Sequence, residues 1–207
     1  MTVLLSALVI GGLTLWLLHG IWLIGRVSTG PLVRGQSETA LVMIDLQTVF
    51  WQDGPYNADQ KAKAEIAILH AVERAKANGI PVIALRQEWS IPSTRVIARL
   101  TMKGAAVAGS DGTEIAAPFA GKADHTVVKR VQDGFETGAL DPLLKKLGVG
   151  HLHVMGLDTA YCVAKTALAA RARGYQVTID RRTILAGDQT AGDKALKQLE
   201  DNGVTLI

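Results

Sequence analysis

Cysteine is almost missing from this chain: Cys162 is the only one in 207 residues. A single thiol cannot close an internal disulfide, so oxidative stapling is excluded and a reducing compartment is expected. Runs of positive charge are missing too, because the 22 Lys and Arg are scattered among 19 Asp and Glu, for a formal net charge of +3. That leaves no basic track for phosphates, and nucleic acid is not an expected partner. There are no internal repeats and no low-complexity tracts, and the roughly 170 residues after position 38 suit one ordinary domain with its own core.

The most local absence is of charge itself. Residues 1–25, MTVLLSALVIGGLTLWLLHGIWLIG, contain no Asp, Glu, Lys or Arg. At about 1.5 Å per residue, a helix from Val3 to Ile24 spans roughly 33 Å, the thickness of a bilayer core. Trp16 and Trp22 lie where rings rest at headgroup level, and Arg26 and Arg34 place the basic flank on the C-terminal side. The expectation is an uncleaved single-pass anchor with the remaining chain in the cytoplasm. A secretory signal peptide would need a basic start and a shorter apolar stretch. Residues 26–38, rich in Gly, Ser, Pro and charge, are expected to be a linker, and residues 39–207 a catalytic domain.

Within that domain, continuous apolar runs alternate with helical periods. TALVMID (39–45) and IPVIALR (80–86) predict strands buried on both faces, and HTVVKR (125–130), HLHVMG (151–156), YQVTID (175–180) and the terminal VTLI predict further strands. Helices are predicted over Ala58–Asn78, around Leu140–Leu147, from Thr159 to Arg173 and over Thr190–Asp201. The fold class that follows is three-layer α/β, a mostly parallel sheet with helices on both faces. Ser90–Phe119 is the least regular stretch and is expected to supply loops over a site.

Ligands of such sheets bind at the carboxyl ends of the strands. Asp45, Lys129 and Cys162 all fall there. By itself, a lone cysteine in an alanine-rich helix is an ordinary packing residue. An acid, an amine and a thiol at one sheet edge are a different matter, since a thiol near a helix N-terminus and a cation ionises more readily, and Asp45 can take its proton. The thiol is therefore expected to titrate low.

The words around these residues resemble the isochorismatase-like cysteine hydrolases, which include nicotinamidases and N-carbamoyl amide hydrolases. Asp45 opens DLQTVF (45–50), Lys129 lies in VVKRVQDGF (127–135), and Cys162 lies in GLDTAYCVAKTALAARARGYQV (156–177); DGTEI (111–115) is similar to the loop before the third strand. The resemblance implies six strands in the order 3-2-1-4-5-6 and an Asp45, Lys129, Cys162 triad. Cys162 would attack an amide-like carbonyl to form a thioester. It also implies a cis peptide near Leu157–Asp158, and an oxyanion hole from the backbone N–H groups of Asp158 and Cys162. Homo-oligomers are implied as well.

Departures from the family pattern sharpen the expectation. Metal-holding members carry Asp-x-His after the second strand, where this chain has Arg86, Gln87, Glu88 and Trp89. No metal and no cofactor are therefore expected. His151 and His153, two apart on a strand, are read as structural residues. Arg182 and Thr183 stand where the family often has Asp-Ala. Phe50, Trp89 and Tyr161 are the candidate pocket residues for a small-molecule substrate. The alternatives to amide, ureide or carbamoyl hydrolysis are vinyl-ether hydrolysis, or a scaffold or thiol sensor on the same fold.

Overall fold

A computed structural model describes residues 2–207. Its sheet has six parallel strands: β1 (Glu38–Ile44), β2 (Val82–Gln87), β3 (His125–Lys129), β4 (Val149–Gly156), β5 (Gln176–Ile184) and β6 (Thr205–Leu206), in the order β3-β2-β1-β4-β5-β6. The order reverses beside β1, so the carboxyl ends of β1 and β4 open onto the crevice where such sheets hold ligands.

Alternation along β1 builds two cores. Ala40, Val42 and Ile44 face one way with Leu152 and Val154. On that side lie α5 (Leu140–Lys146), α6 (Ala164–Ala172) and α7 (Gln189–Asp201). Leu41 and Met43 face the other way, against Ala64, Ile68, Val72 and Ala75 of α3 (Ala58–Ala77). Residues 40–44 of β1 and 82–85 of β2 are buried on both faces and run without a polar break, while β3 and β5 alternate buried with exposed or half-buried positions. Asn57 caps α3, its side chain accepting from the N–H groups of Asp59 and Gln60.

One glycine is dictated by this packing. Gly156 ends β4 at φ 115°, and a Cβ there would stand 2.1 Å from the Ile44 carbonyl oxygen. Only glycine lets β1 and β4 close at the point where the chain turns towards Cys162.

One segment differs from the sequence expectation. Ser90–Phe119 contains a ten-residue helix, α4 (Pro92–Thr101), begun by Pro92 in its first turn. Residues 26–37 lack regular structure yet are held to the domain: Ser28 donates its N–H to Asp133 Oδ2 at 2.7 Å, and Val27 and Val33 pack on the core. The first helix, α1 (Thr2–Gly25), is long and apolar enough over Ser6–Gly25 to cross a membrane. Its Leu8, Val9, Ile10, Leu13 and Leu15 are exposed. A short helix, α2 (Thr48–Trp51), follows β1.

Candidate active site

Three elements deliver one residue each to the carboxyl edge of the sheet. Asp45 is the residue after β1, at φ 53°, with its N–H donated to the Leu85 carbonyl at 3.0 Å. That left-handed backbone is unusual for a side chain bearing a Cβ, and a neighbour strand holds it there. Lys129 is the last residue of β3, paired in register with Gln87. Cys162 sits in a single π-helical turn, Thr159–Val163, ahead of α6.

The sequence predicted a plain helix from Thr159, and the π turn has a local cause. Asp158 caps it, with its carboxylate accepting from the N–H groups of Ala160 at 2.8 Å and Gly187 at 2.6 Å. The Asp158 carbonyl accepts from Tyr161 and Val163, each at 3.1 Å, and passes over the Cys162 N–H between them. Wide turns of this kind recur at functional sites because they aim one residue out of the helical ladder. The Leu157–Asp158 bond is trans, as are all peptide bonds among the described residues, so the expected cis bond is not found.

The three side chains meet in a nearly dry site. Lys129 Nζ lies 2.9 Å from Asp45 Oδ2 and donates to Cys162 Sγ at 3.3 Å. Lys129 is fully buried, Asp45 is 2 % exposed and Cys162 9 %. Nζ also donates to Gln87 Oε1 at 2.5 Å and to the Val131 carbonyl at 3.3 Å. Four acceptors thus surround three N–H bonds. Asp45 Oδ1, in contrast, is buried and has no hydrogen-bond partner.

Burial and charge set the titrations. Burial pushes the Asp45 carboxyl up, against the pull of the Lys129 charge. Burial acts to lower Lys129, but the charges of Asp45 and of a Cys162 thiolate outweigh it and hold the ammonium above its ordinary range. The Cys162 thiol is pushed up, first by burial and then by the Asp45 carboxylate; Lys129 opposes both without prevailing. The expectation of a low-titrating thiol is therefore corrected. The helix terminus and the lysine act on it, but dry surroundings and a neighbouring anion act more strongly.

Sequence reasoning missed the residues that hold this arrangement. Gln47 donates through Nε2 to the carbonyls of Gln87 and Thr113, at 3.0 and 2.8 Å, and its Oε1 accepts the Gln87 N–H at 2.6 Å. Gln87 in turn places its Oε1 on Lys129. It ends β2 just as Lys129 ends β3, so the strand-end rule that found the triad could have found it too. Tyr56 donates its hydroxyl to Asp158 Oδ2 at 3.3 Å, and burial followed by the Asp158 charge pushes its phenol up.

The pocket candidates divide. Trp89 is 3 % exposed with its indole N–H unpartnered, and packs in one apolar cluster with Phe50, Val49 and Ile24. Tyr161 is half exposed. At the end of β2, Arg86 forms an ion pair with Glu88, the next residue past the strand, while Gln87 serves Lys129. Among the described residues no group of three or more His, Cys, Asp or Glu is placed to hold a metal ion. His151 bonds Thr178 Oγ1 at 2.8 Å, and its ring lies tilted against that of His153 with centroids 4.6 Å apart. Arg182 chelates Asp180 at the surface, and Thr183 donates to the Asp180 carbonyl.

Known proteins share the family and the fold of this chain. The isochorismatase domain model matches residues 39–207. The streptothricin hydrolase of Streptomyces noursei is 30% identical over 166 residues, which are 78% of this chain and 59% of that protein. The zinc complex of the pyrazinamidase of Pyrococcus horikoshii superposes with a TM-score of 0.70 at 23% identity, over 83% of this chain and 99% of that one. The N-carbamoylsarcosine amidase of Thermoplasma acidophilum gives 0.68 at 24%, over 82% and 95%. The last two likenesses are of fold.

Proposed function

This chain belongs to the isochorismatase domain family of hydrolases, and on that premise we propose that it is a membrane-anchored, metal-independent cysteine hydrolase of a small amide, ureide or carbamoyl compound. The observation that carries the proposal is the buried Lys129 ammonium between Asp45 and Cys162, with Asp45 Oδ1 left empty.

Two acids whose titrations are both pushed up beside one fixed cation hold a single proton between them. At rest it is on sulfur. As Cys162 Sγ bonds to the substrate carbonyl carbon, the thiol proton passes to Asp45 and the C=O electrons move onto oxygen. The fixed Lys129 ammonium, within reach of both groups, stabilises the carboxylate at rest and the sulfur as its proton leaves, and the negative charge then passes to the carbonyl oxygen. The backbone N–H groups of Asp158 and Cys162 are the proposed donors to the oxyanion, a contribution of about 3 kcal/mol in comparable sites. Collapse breaks the C–N bond, and the departing amine takes the proton from Asp45. Water then attacks the thioester, Asp45 accepts one of its protons, and the sulfur leaves to regain it. Amide and water become acid and amine, with the enzyme restored.

The names of two relatives, an N-carbamoylsarcosine amidase and a pyrazinamidase, support C–N bonds as the target. Metal independence is supported by the end of β2, where Arg86 is paired with Glu88 and the Gln87 amide is committed to Lys129, leaving no imidazole and no free carboxylate there. Anchoring is supported by the exposed apolar surface of α1, and a cytoplasmic domain by the basic flank at Arg26 and Arg34. The test uses full-length protein in detergent micelles, presented with a panel of small amides, ureides and carbamoyl compounds with and without a chelator. The expected result is chelator-resistant amine release that Cys162→Ala abolishes, with hydroxylamine trapping an acyl group from wild type only. Turnover that survives Cys162→Ala, or that needs added zinc, overturns the proposal.

A further inference from the structure

The apolar helix does not stand apart from the catalytic domain. Gly20 of α1 approaches α4 so closely that a Cβ there would lie 2.7 Å from Ser93 Cβ and 2.8 Å from Ile97 Cδ1. Ile24 packs with Trp89, Ala98, Ala106 and Val107, and its carbonyl accepts the Gln132 N–H at 3.3 Å. Gln132 follows Lys129 by three residues, so the end of α1 abuts the sheet edge that carries the triad. The chain beyond is locked as well: Asp133 holds the Ser28 N–H, and Arg173 donates to the carbonyls of Ser28 and Thr29.

This fixes the depth of α4. The 24 residues of α1 rise about 36 Å, roughly 6 Å more than a hydrocarbon core, so on the side of Arg26 its last turns reach the headgroup layer. A bilayer holding α1 therefore places α4, packed beside those last turns, among the headgroups. Its surface chemistry suits that depth. Leu100 is 74 % exposed, and Arg99 and Lys103 beside it are exposed. Residues 1–37 and 90–110 together contain Arg26, Arg34, Arg95, Arg99 and Lys103 and no acidic residue. None of the five joins an ion pair among the described residues. The Arg26 guanidinium lies over the Trp22 ring, 5.0 Å from its centroid, at the same level.

We infer that α4, with Arg26, forms a docking surface for anionic lipid headgroups that seats the catalytic edge of the sheet directly on the membrane. Exposed arginine and lysine without acidic neighbours attract the negative cytoplasmic leaflet, and Leu100 enters the layer they bring close. The inference rests on the proposed reading of α1 as a membrane span, and the experiment separates the two.

Full-length protein carrying Cys162→Ala receives one new cysteine at Leu100, at Leu13 in α1, or at the exposed Ile66 of α3. Each is labelled with an environment-sensitive fluorophore and reconstituted into phosphatidylcholine vesicles, with or without phosphatidylserine, containing lipids spin-labelled near the headgroup or deep in the chain. The Leu100 probe is expected to lose about half its emission to the headgroup label when phosphatidylserine is present, and clearly less without it or with Arg99→Glu. The Ile66 probe is expected to keep its emission throughout. Leu13 quenched by the deep label while Leu100 behaves like Ile66 overturns the inference and leaves the anchor standing. Leu13 unquenched overturns the anchor, and the inference with it. Leu100 quenching indifferent to phosphatidylserine and to Arg99→Glu overturns the anionic surface.

Discussion

Two buried charge clusters lie in this domain, and they are built on opposite plans. Around Arg173, all five guanidinium N–H bonds find acceptors: Asp141 Oδ1 at 2.9 Å, the carbonyls of Ser28, Ala169 and Thr29 at 2.9, 3.1 and 3.2 Å, and Ser28 Oγ at 3.1 Å. The Phe135 ring lies against its face at 4.4 Å. Around Lys129, four acceptors compete for three donors while Asp45 Oδ1 has none. A cluster whose only task is to hold the chain satisfies every group, because each orphan costs stability. In the proposed mechanism, that open oxygen is the one that receives the thiol proton. Both clusters are buried and charged, and they differ in whether every polar atom has a partner.

The comparison can be broken by removing one group from each. Cys162→Ala is expected to lower hydrolysis by about 10⁴-fold or more with the fold retained, read as turnover alongside circular dichroism. Arg173→Ala is expected to do the reverse, costing roughly 3–5 kcal/mol in denaturant unfolding while turnover per folded molecule stays close to wild type. Should Arg173→Ala destroy turnover in protein that remains folded, the division of labour fails.

A finer contrast comes from deleting the ion pair as a unit. Asp45→Asn with Lys129→Met removes both charges from the dry site, and is expected to be inactive yet at least as stable as wild type in urea. Gln87→Leu is expected to lower kcat by about tenfold with little change in KM, because it frees Lys129 to shift without touching a reacting atom.

The smallest expected effect is on stability against pH. The Cys162 thiol is pushed above its ordinary value of 9.0 in the fold. A group raised in this way contributes stability fully below pH 9 and loses it as pH climbs towards the folded value, since the unfolded chain releases its proton first. Wild type is therefore expected to lose stability above pH 9 faster than Cys162→Ala, in thermal melts compared between pH 8 and 10.

Much of this was legible in the residues themselves. Unbroken apolar runs mark β1 and β2, and shorter valine-centred runs mark β3 and β4, so these strands could be placed to within a residue or two and their ends marked Asp45 and Lys129. Cys162 needed its surroundings, because a cysteine in an alanine-rich helix looks the same whether it packs or reacts. The α4 helix was missed because it buries its stripe partly against α1, a segment read as belonging to the membrane alone. Gln87 was noted for the metal ligands it displaces, not for the lysine it holds, since a bond between neighbouring strands leaves no local pattern. The direction of the thiol's titration was beyond reach for a similar reason. Helix terminus and cation are visible along the chain, while the dryness of the site and the nearness of the Asp45 charge arise only when β1, β3 and β4 meet.

The most direct test of the shared-proton triad is the rate of iodoacetamide labelling of Cys162 as a function of pH, in full-length wild type, Asp45→Asn and Lys129→Met. Removing the carboxylate charge is expected to move the labelling profile to lower pH, and removing the ammonium to move it to higher pH, so that the two variants flank wild type. Three superimposed profiles would contradict the account, because a thiol indifferent to both neighbours shares no proton with either.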